Sequence, residues 1–218
     1  MKQTTSNLFL IRPFRFFSNP QTAINNFFQN PDSERNMSDV SEKALLEFDM
    51  FIDKLKRNDL NIFLFHAKET PMTPDAIFPN NWISTHQNGK IFLYPMFAEN
   101  RRLERRQDII DFLFKNFDVT RVFNNANYYE NENQFLEGTG SMILDREHKI
   151  VYAALSERTN QNLLDKFCNK MNFSKIIFTA FKNVNEKKII YHTNVMMSVC
   201  KHFVVICLDS IENDIQKN

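Results

Sequence analysis

The feature that most restricts the fold of this chain is an order of segments that occurs three times. In each occurrence a short apolar segment is followed by a polar signature and then by a β-hairpin, and the first two continue into an amphipathic helix. The signatures contain Asn81, Glu137 and Asn194, which are 56 and 57 residues apart. Repeats of this length are typical of propellers and arrays, in which each unit buries its apolar face against its neighbours. We therefore expect the three polar residues to occupy equivalent places and to converge on one axis.

The first repeat opens with Asp75–Phe78, an apolar segment that predicts a strand, and Asn80 and Asn81 follow where this strand should end. An Asn-Asn pair between apolar runs is typical of a turn, but strand ends and loops also carry binding groups. Next, Asn88–Gly89 predicts a hairpin with strands at Trp82–Thr85 and Ile91–Tyr94. Asn100 is a candidate cap for the helix that should follow, whose apolar face comprises Leu103, Ile110, Leu113, Phe114 and Phe117.

The later repeats predict the same elements. The second should contain a strand at Thr120–Phe123, a polar loop at Asn124–Asn133, a turn at Phe135–Gly140, hairpin strands at Ser141–Leu144 and Ile150–Ala154, and a helix capped by Thr159. The third should contain a strand at Lys175–Phe181 and hairpin strands at Val195–Cys200 and Phe203–Leu208. Ahead of the repeats, the pattern predicts a strand at Asn7–Phe17 broken by Pro13, a polar connection at Asn19–Asp32, a helix from Asp39 to about Arg57–Asp59 capped by Ser38 or Asp39, and a buried strand at Asn61–His66.

Composition excludes several classes of function. The net charge of +1 gives no argument for binding nucleic acid or an anionic membrane, and no apolar run approaches the roughly 20 residues that a membrane span needs. The N-terminal residues lack the apolar core of a signal peptide, and three cysteines without a CxxC spacing are typical of a reducing compartment. We therefore expect a cytoplasmic protein, and no residue pattern predicts a metal site or a cofactor. Three glycines, where about 15 are usual for this length, leave no glycine-rich catalytic loop.

Four ordered motifs resemble one known family. They are Asp75–Ala–Ile–Phe–Pro–Asn–Asn–Trp82, Leu136–Glu–Gly–Thr–Gly–Ser–Met–Ile–Leu–Asp–Arg146, Leu155–Ser–Glu–Arg–Thr–Asn160 and His192–Thr–Asn–Val–Met–Met197. They resemble the amidinotransferase superfamily of guanidino-group modifying enzymes. Within it they are most similar to the citrulline-utilisation hydrolases, and more distantly to dimethylarginine dimethylaminohydrolase and arginine deiminase. The resemblance extends from about residue 10 to residue 211.

This resemblance implies an α/β fold, namely a five-bladed α/β propeller of the pentein type with an axial active site. The chain would supply about three blades together with the N-terminal strand and helix. Residues 1–218 would then form a single domain that is the N-terminal portion of such a propeller.

The resemblance also assigns site residues. In this family a cysteine thiolate attacks a guanidino or ureido carbon, and a histidine acts as acid and base. His192 matches the catalytic histidine, and Glu137 matches the acidic residue that partners it. Arg101 and Arg158 fall near arginines that hold the α-carboxylate of the substrate. The remaining substrate-binding candidates are the carboxamides of Asn80, Asn81 and Asn194, of which Asn194 stands where deiminases have an aspartate.

The carboxamide of Asn81 predicts a neutral substrate group, because relatives that bind guanidinium have a carboxylate at this place. A carboxylate suits a guanidinium cation through charge-assisted hydrogen bonds. A neutral urea gains no such pairing, and a buried unpaired carboxylate is costly. A carboxamide offers both a donor and an acceptor, which match the ureido group. The expected substrate is therefore citrulline or a related arginine derivative, with ornithine, ammonia and carbon dioxide as the products from citrulline.

Structural alternatives stand beside these assignments. An isolated histidine is more often structural than catalytic, and this alternative applies to His192. The alternative for Arg158 is that it is a solvated residue at the start of a helix. The alternative for Arg101 is that it belongs to a solvated face formed by the basic run Arg101–Arg106. Met196–Met197 is predicted to be core.

The nucleophilic cysteine of the family has no match in this sequence. Cys168 lies on the apolar face of a predicted helix and Cys207 within a predicted strand, so both are expected in the core. Cys200 is the remaining candidate, but the predicted hairpin points it away from the axis. We therefore expect a C-terminally truncated chain that is inactive alone, acts on a citrulline-like amino acid, and needs a C-terminal partner chain for the cysteine. The alternative is a non-catalytic amino-acid-binding or interaction protein.

Overall fold

The structure, a computed structural model, describes residues 2–29, 37–182, 187–213 and 216 of the chain. Its strands are β1 (Asn7–Arg12), β2 (Asn61–His66), β3 (Ile83–Thr85), β4 (Lys90–Leu93), β5 (Arg121–Asn124), β6 (Ile143–Asp145), β7 (Ile150–Ala154), β8 (Ser174–Phe178), β9 (Met197–Val199) and β10 (Val204–Ile206). Its α-helices are α1 (Pro20–Ala23), α2 (Met37–Lys56), α3 (Glu99–Arg102), α4 (Gln107–Asn116), α5 (Ala126–Asn131), α6 (Gly138–Ser141) and α7 (Gln161–Met171). Single turns of 3-10 helix lie at Pro79–Asn81, Thr193–Val195 and Leu208–Ser210. The expected α/β composition is confirmed.

The chain forms two compact units. The first comprises residues 1–4, 80–97 and 113–218, and the second comprises residues 5–79 and 98–112. The first unit contains most of the predicted site residues, whereas Arg101 belongs to the second. Across the described residues, no helix combines the length and the apolar composition that crossing a membrane requires.

The first unit repeats one arrangement of strands. β3 and β4 form an antiparallel hairpin, and β4 pairs in parallel with β5. β6, β7 and β8 pair in the same way, and β9 and β10 form a third hairpin. Parallel neighbours need a crossover connection, which α7 supplies between β7 and β8. The predicted order of hairpin and helix is thus confirmed. In both complete repeats, the strand that follows the helix pairs with the second strand of the hairpin before that helix.

The first hairpin depends on Gly89. This residue has a φ of 72°, and a Cβ added there would lie 2.2 Å from the carbonyl oxygen of Asp118. A side chain would therefore be excluded by both the backbone conformation and the space. The Asn-Gly signal in the sequence reflects this requirement.

Aromatic side chains fill the core of the first unit. The ring of Phe92 on β4 lies 4.5 Å from that of Phe123 on β5 and 5.0 Å from that of Phe167 on α7, measured between ring centres. Burying a side chain of this size contributes about 1.5–3 kcal/mol. These contacts hold the sheet against α7 and explain part of the high phenylalanine content.

A buried polar network lies in the same unit. The Arg146 guanidinium donates to His86 Nδ1 at 3.0 Å, and His86 Nε2 contacts Ser84 Oγ at 2.9 Å. Ser84 Oγ also contacts the Tyr94 hydroxyl at 2.7 Å. Because an arginine only donates, Nδ1 accepts and Nε2 carries the proton of a neutral imidazole. Burial, with Arg146 and Lys90 adding to it, lowers the pKa of His86 to about 3.

The second unit is built on β1 and β2, which pair in parallel. α2 supplies the crossover and buries Phe48 and Ile52, whereas Phe51 is 50% exposed. The prediction that Asn61–His66 is a buried strand is correct in its bounds and wrong in its burial, because its residues are exposed or half-buried.

Several predicted elements around the site differ from the structure. Asp75–Phe78 forms a turn rather than a strand, with the Phe78 N–H donating to the Asp75 carbonyl at 2.9 Å. The loop expected at Asn124–Asn133 contains α5. The cap of α7 is Asn160 rather than Thr159, because the Asn160 side chain accepts from the Leu163 N–H.

Helix starts were the least accurate predictions in the remaining chain. Asn100 lies inside α3, whose N-cap is Ala98. Ser38 and Asp39 lie inside α2. Short polar side chains satisfy many positions near a helix start, so the type of residue alone does not locate the cap.

Candidate active site

Asn81 ends a turn of 3-10 helix and leads directly into β3. The Tyr94 N–H donates to the carbonyl of the fully buried Trp82 at 2.9 Å, which extends the β3–β4 pairing to the next residue. Asn81 itself is 4% exposed, and its Nδ2 donates to the backbone carbonyl of Glu137 at 3.5 Å. The start of the hairpin thus holds a carboxamide against the Glu137 segment.

Glu137 is fully buried and is held by both its backbone and its side chain. Its N–H donates to Ser141 Oγ at 3.0 Å and to the Arg158 carbonyl at 3.2 Å. Ser141 Oγ in turn donates to the same Arg158 carbonyl at 2.6 Å. The carboxylate Oε1 accepts from the Phe97 N–H at 2.9 Å. These bonds fix the carboxylate at the start of α6.

His192 contacts this carboxylate directly. Its Nε2 lies 2.6 Å from Glu137 Oε2, and both side chains are buried. An ionised carboxylate only accepts hydrogen bonds, so Nε2 is the donor of this bond and Nδ1 lies on the opposite side of the ring. Inside a protein such a bond is electrostatically stronger than in water. The pair therefore has the geometry of an oriented acid–base histidine.

Thr193 ties the histidine segment to its surroundings. Its fully buried hydroxyl donates to the Ser141 carbonyl at 2.6 Å and accepts from the Ala154 N–H at 2.9 Å. The turn that carries His192 is thereby fixed to α6 and to β7. Sequence reasoning missed Thr193 and Ser141, although both lie inside the four motifs. Asking how the backbone groups of a buried segment are satisfied would have drawn attention to these hydroxyls.

Gly140 allows the carboxamide and the imidazole to approach each other. A Cβ added at this position would lie 2.2 Å from Asn81 Nδ2 and 2.8 Å from His192 Nδ1. Both distances are well inside van der Waals contact. The absence of a side chain at Gly140 therefore brings Asn81, His192 and Glu137 into one cluster.

Arg158 lies beside the pair rather than in solvent. Its side chain is 2% exposed, and its Nη1 is 3.7 Å from Glu137 Oε2. Its guanidinium also lies 4.7 Å from the ring centre of Tyr191. The alternative of a solvated helix-start residue is therefore wrong. The charges of Arg158 and Glu137 balance within the cluster.

The other predicted residues lie in different settings. Asn80 is half-buried, and its carbonyl accepts from Thr139 Oγ1 at 3.4 Å. Asn194 is exposed, whereas His192 and Thr193, which precede it in the chain, are buried. The expected convergence thus brings Asn81 and Glu137 together, and His192 rather than Asn194 joins them.

Arg101 is buried in the second unit. It is 2% exposed, and its guanidinium donates to both carboxylate oxygens of Glu104 at 3.0 and 2.9 Å. It also donates to the Phe78 carbonyl at 3.2 Å. The alternative of a solvated basic face is therefore wrong for this arginine.

The three cysteines lie in other elements than those that carry the His192–Glu137 pair. Cys168 is in the core on α7, and burial raises its pKa to about 11. Cys200 is half-buried in the turn after β9, where its N–H donates to the Phe203 carbonyl at 2.9 Å. Cys207 follows the end of β10 and is exposed, contrary to the prediction that it is core; Val204 and Val205 within β10 are exposed as well. Met196–Met197 is core as predicted.

Solved structures share this fold at low sequence identity. An arginine dihydrolase of cyanobacteria, ArgZ, matches with a TM-score of 0.64 and 12% identity over 97% of this chain and 27% of its own. Its N-terminal domain, bound to substrate as a cysteine-to-serine mutant, matches with a TM-score of 0.67 and 14% identity, covering 94% of this chain and 68% of the domain. The dimethylarginine dimethylaminohydrolase of Pseudomonas aeruginosa, complexed with citrulline, matches with a TM-score of 0.60 and 16% identity, covering 90% and 66%. The chain thus spans about a quarter of full-length ArgZ and two thirds of the other two.

The family assignment rests on the sequence. No curated protein matches the chain. The family described as N,N dimethylarginine dimethylhydrolase, eukaryotic, matches residues 12–218, which is nearly the whole sequence. This match agrees with the shared fold and with the four motifs. The chain belongs to the dimethylarginine dimethylhydrolase family of guanidino-group modifying proteins.

Proposed function

We propose that this chain supplies the acid–base and substrate-recognising part of a hydrolase that acts on the ureido group of citrulline or a closely related arginine derivative. The observation that carries the proposal is the buried His192–Glu137 hydrogen bond, with the Asn81 carboxamide held next to it by Gly140. Family membership supports chemistry on a guanidino or ureido group. The arginine dihydrolase and the citrulline complex among the similar folds support the same substrate class.

The proposed chemistry uses His192 as the proton carrier. When a thiolate attacks the ureido carbon, the amine that leaves needs a proton, and His192 Nδ1 is the nitrogen that can supply it. Glu137 orients the ring and stabilises the imidazolium that forms when the ring takes a proton. A positioned general acid of this kind contributes typically about 10²–10⁴-fold to the rate.

Charge balance supports a neutral substrate group. Within the cluster Arg158 Nη1 already lies 3.7 Å from Glu137 Oε2, and the Asn81 side chain carries no charge. A guanidinium would add a buried cation beside an arginine, which is costly without a second carboxylate. A ureido group adds no charge and can use both the donor and the acceptor of Asn81.

The α-amino and α-carboxylate groups of the substrate need further partners. The resemblance assigns Asn80, Arg101, Arg158 and Asn194 to substrate binding. Arg158 has the strongest support, because its buried guanidinium lies next to the His192–Glu137 pair and an arginine fork suits a carboxylate.

The nucleophile is proposed to come from polypeptide outside these 218 residues, in a completed five-bladed propeller. The positions of Cys168, Cys200 and Cys207 in other elements support this arrangement. The similar structures also support it, since the chain spans about two thirds of the Pseudomonas enzyme and of the ArgZ domain. An exposed apolar edge at Phe203–Val205 is available for additional strands.

The test combines this chain with the segment encoded downstream of it. Product release is measured for the chain alone and for the co-expressed pair, as ammonia with citrulline and arginine and as dimethylamine with N,N-dimethylarginine. We expect the pair to hydrolyse citrulline and the chain alone to be inactive. Glu137→Gln and His192→Asn should each lower the rate of the pair by at least about 100-fold.

Different results reject different parts of the proposal. Turnover by the purified chain alone contradicts an external nucleophile. A pair that hydrolyses arginine or dimethylarginine but not citrulline contradicts the recognition of a ureido group by Asn81. If the pair has no activity and calorimetry still detects citrulline binding, the non-catalytic amino-acid-binding alternative is correct.

A further inference from the structure

The first unit contains an apolar cavity that is separate from the candidate active site. It measures about 60 Å³ and lies between α7 and the sheet formed by β4 and β5. Its apolar walls include Phe92, Leu93, Phe123, Leu136, Leu163 and Phe167. A cavity that holds one water measures roughly 10–15 Å³, so this space is larger than a site for a single water. None of Asn81, Glu137, Gly140, Arg158 and His192 lines it.

The mouth of the cavity is positively charged. Lys166 and Lys170 are both exposed and lie four residues apart on α7, which places them on one face of the helix. The Lys166 ammonium is 3.4 Å from the Tyr129 hydroxyl, and the Lys170 ammonium is 4.9 Å from the ring centre of Phe123. None of the cavity-lining residues in the described chain is acidic.

These features favour one type of occupant. Like charges four residues apart destabilise a helix, and an anion placed between them would relieve this repulsion. The aromatic walls provide edge-to-face and offset-stacked positions for another ring. An apolar cavity with convergent polar groups at its mouth is the usual form of a small-molecule site.

We propose that this cavity binds a small aryl carboxylate. The ring lies in the cavity against the cluster that Phe92, Phe123 and Phe167 form with one another, and the carboxylate lies between the ammonium groups of Lys166 and Lys170. The Asn125 side chain at the rim is an additional hydrogen-bonding group. Binding is noncovalent and does not use the residues proposed for hydrolysis, so the site can be tested on the chain as it is.

The experiment titrates 3-phenylpropionate into the folded chain at low salt and follows binding by calorimetry and ligand-observed NMR. We expect saturable one-to-one binding that weakens with added salt, because the carboxylate contacts are exposed. The uncharged 3-phenylpropanamide should bind at least fivefold more weakly. The double variant Lys166→Glu, Lys170→Glu should weaken binding of the carboxylate at least tenfold and leave binding of the amide within twofold.

The double variant Lys56→Glu, Lys201→Glu is the matched control, because both lysines are exposed, neither lines the cavity, and the change in net charge is the same. It should change the affinity less than twofold. Leu163→Phe, which reduces the cavity, should weaken binding of both the acid and the amide. The proposal is overturned if the acid shows no saturable binding, if the double lysine variant binds it as tightly as the original chain, or if citrulline displaces it competitively.

Discussion

Replacing Thr193 by valine should reveal how firmly the histidine segment is held. Valine keeps the shape of threonine and removes the hydroxyl, which donates to the Ser141 carbonyl at 2.6 Å and accepts from the Ala154 N–H at 2.9 Å. Both partners would then be buried without this hydrogen bond, at about 1–3 kcal/mol for each group. We expect Thr193→Val to lower the free energy of unfolding by about 3 kcal/mol. In a chain of this size each kcal/mol lowers the melting temperature by about 2–4 °C.

Urea unfolding measures this loss against two controls. Thr193→Ser keeps the hydroxyl and loses one buried methyl group, which costs about 0.8 kcal/mol. Thr85→Val removes an exposed hydroxyl and should stay within about 0.5 kcal/mol of the original chain. In NMR spectra the His192 Nε2 proton should move upfield in the valine variant, as its bond to Glu137 loosens. If the valine and serine variants at 193 are equally stable, Thr193 does not hold this turn.

Three further predictions concern the site and the buried network. In the co-expressed pair proposed above, Asn81→Asp should lower kcat/KM for citrulline by about 100-fold or more, because a buried unpaired carboxylate costs about 3–5 kcal/mol. An unchanged preference for citrulline over arginine contradicts the proposed role of Asn81. Gly140→Ala should lower the free energy of unfolding of the chain by about 1–3 kcal/mol through overpacking, measured by urea unfolding, and should abolish the activity of the pair, because the new Cβ displaces Asn81 and His192. Unchanged stability of the chain and unchanged activity of the pair contradict this packing. The pKa of His86 is lowered from 6.5 to about 3, so the unfolded chain takes up more protons and stability falls as pH drops below about 6.5. This histidine alone should account for a loss of about 1.4 kcal/mol between pH 7.5 and 5.5. His86→Phe should remove that part of the pH dependence, and an identical slope in both chains contradicts it.

The buried positions of Arg101 and Arg158 illustrate why a charged residue is hard to place from sequence. Both arginines lie in polar stretches that predict solvent exposure, and both are 2% exposed. Arg101 forms a salt bridge with Glu104, three residues away, so this local pairing was visible in the sequence. Arg158 is matched by Glu137, and that proximity depends on the folding of distant segments. A resemblance to known motifs indicated Arg158, whereas local rules did not.

The sequence by itself determined those secondary-structure elements that depend on residues close together in the chain. The Asn-Gly hairpin, the bounds of β2, and the order of hairpins and helices all follow from turn chemistry and apolar periodicity within a few residues. The motifs also indicated His192, Glu137 and Asn81 before any geometry was known. Local rules were weaker for burial and for helix caps, as the exposure of Cys207 and the cap at Asn160 demonstrate.

Only the tertiary structure decided how these residues act together. The bond between His192 and Glu137 joins residues 55 positions apart, and no local pattern specifies its length of 2.6 Å. The need for glycine at position 140 arises from the Asn81 amide and the His192 ring, which approach it from distant parts of the sequence. The same holds for Thr193, whose two hydrogen-bond partners lie 52 and 39 residues away. Packing brings these groups into one buried cluster, and burial makes each unpaired polar group costly, so the cluster forms as a set of mutually satisfied partners.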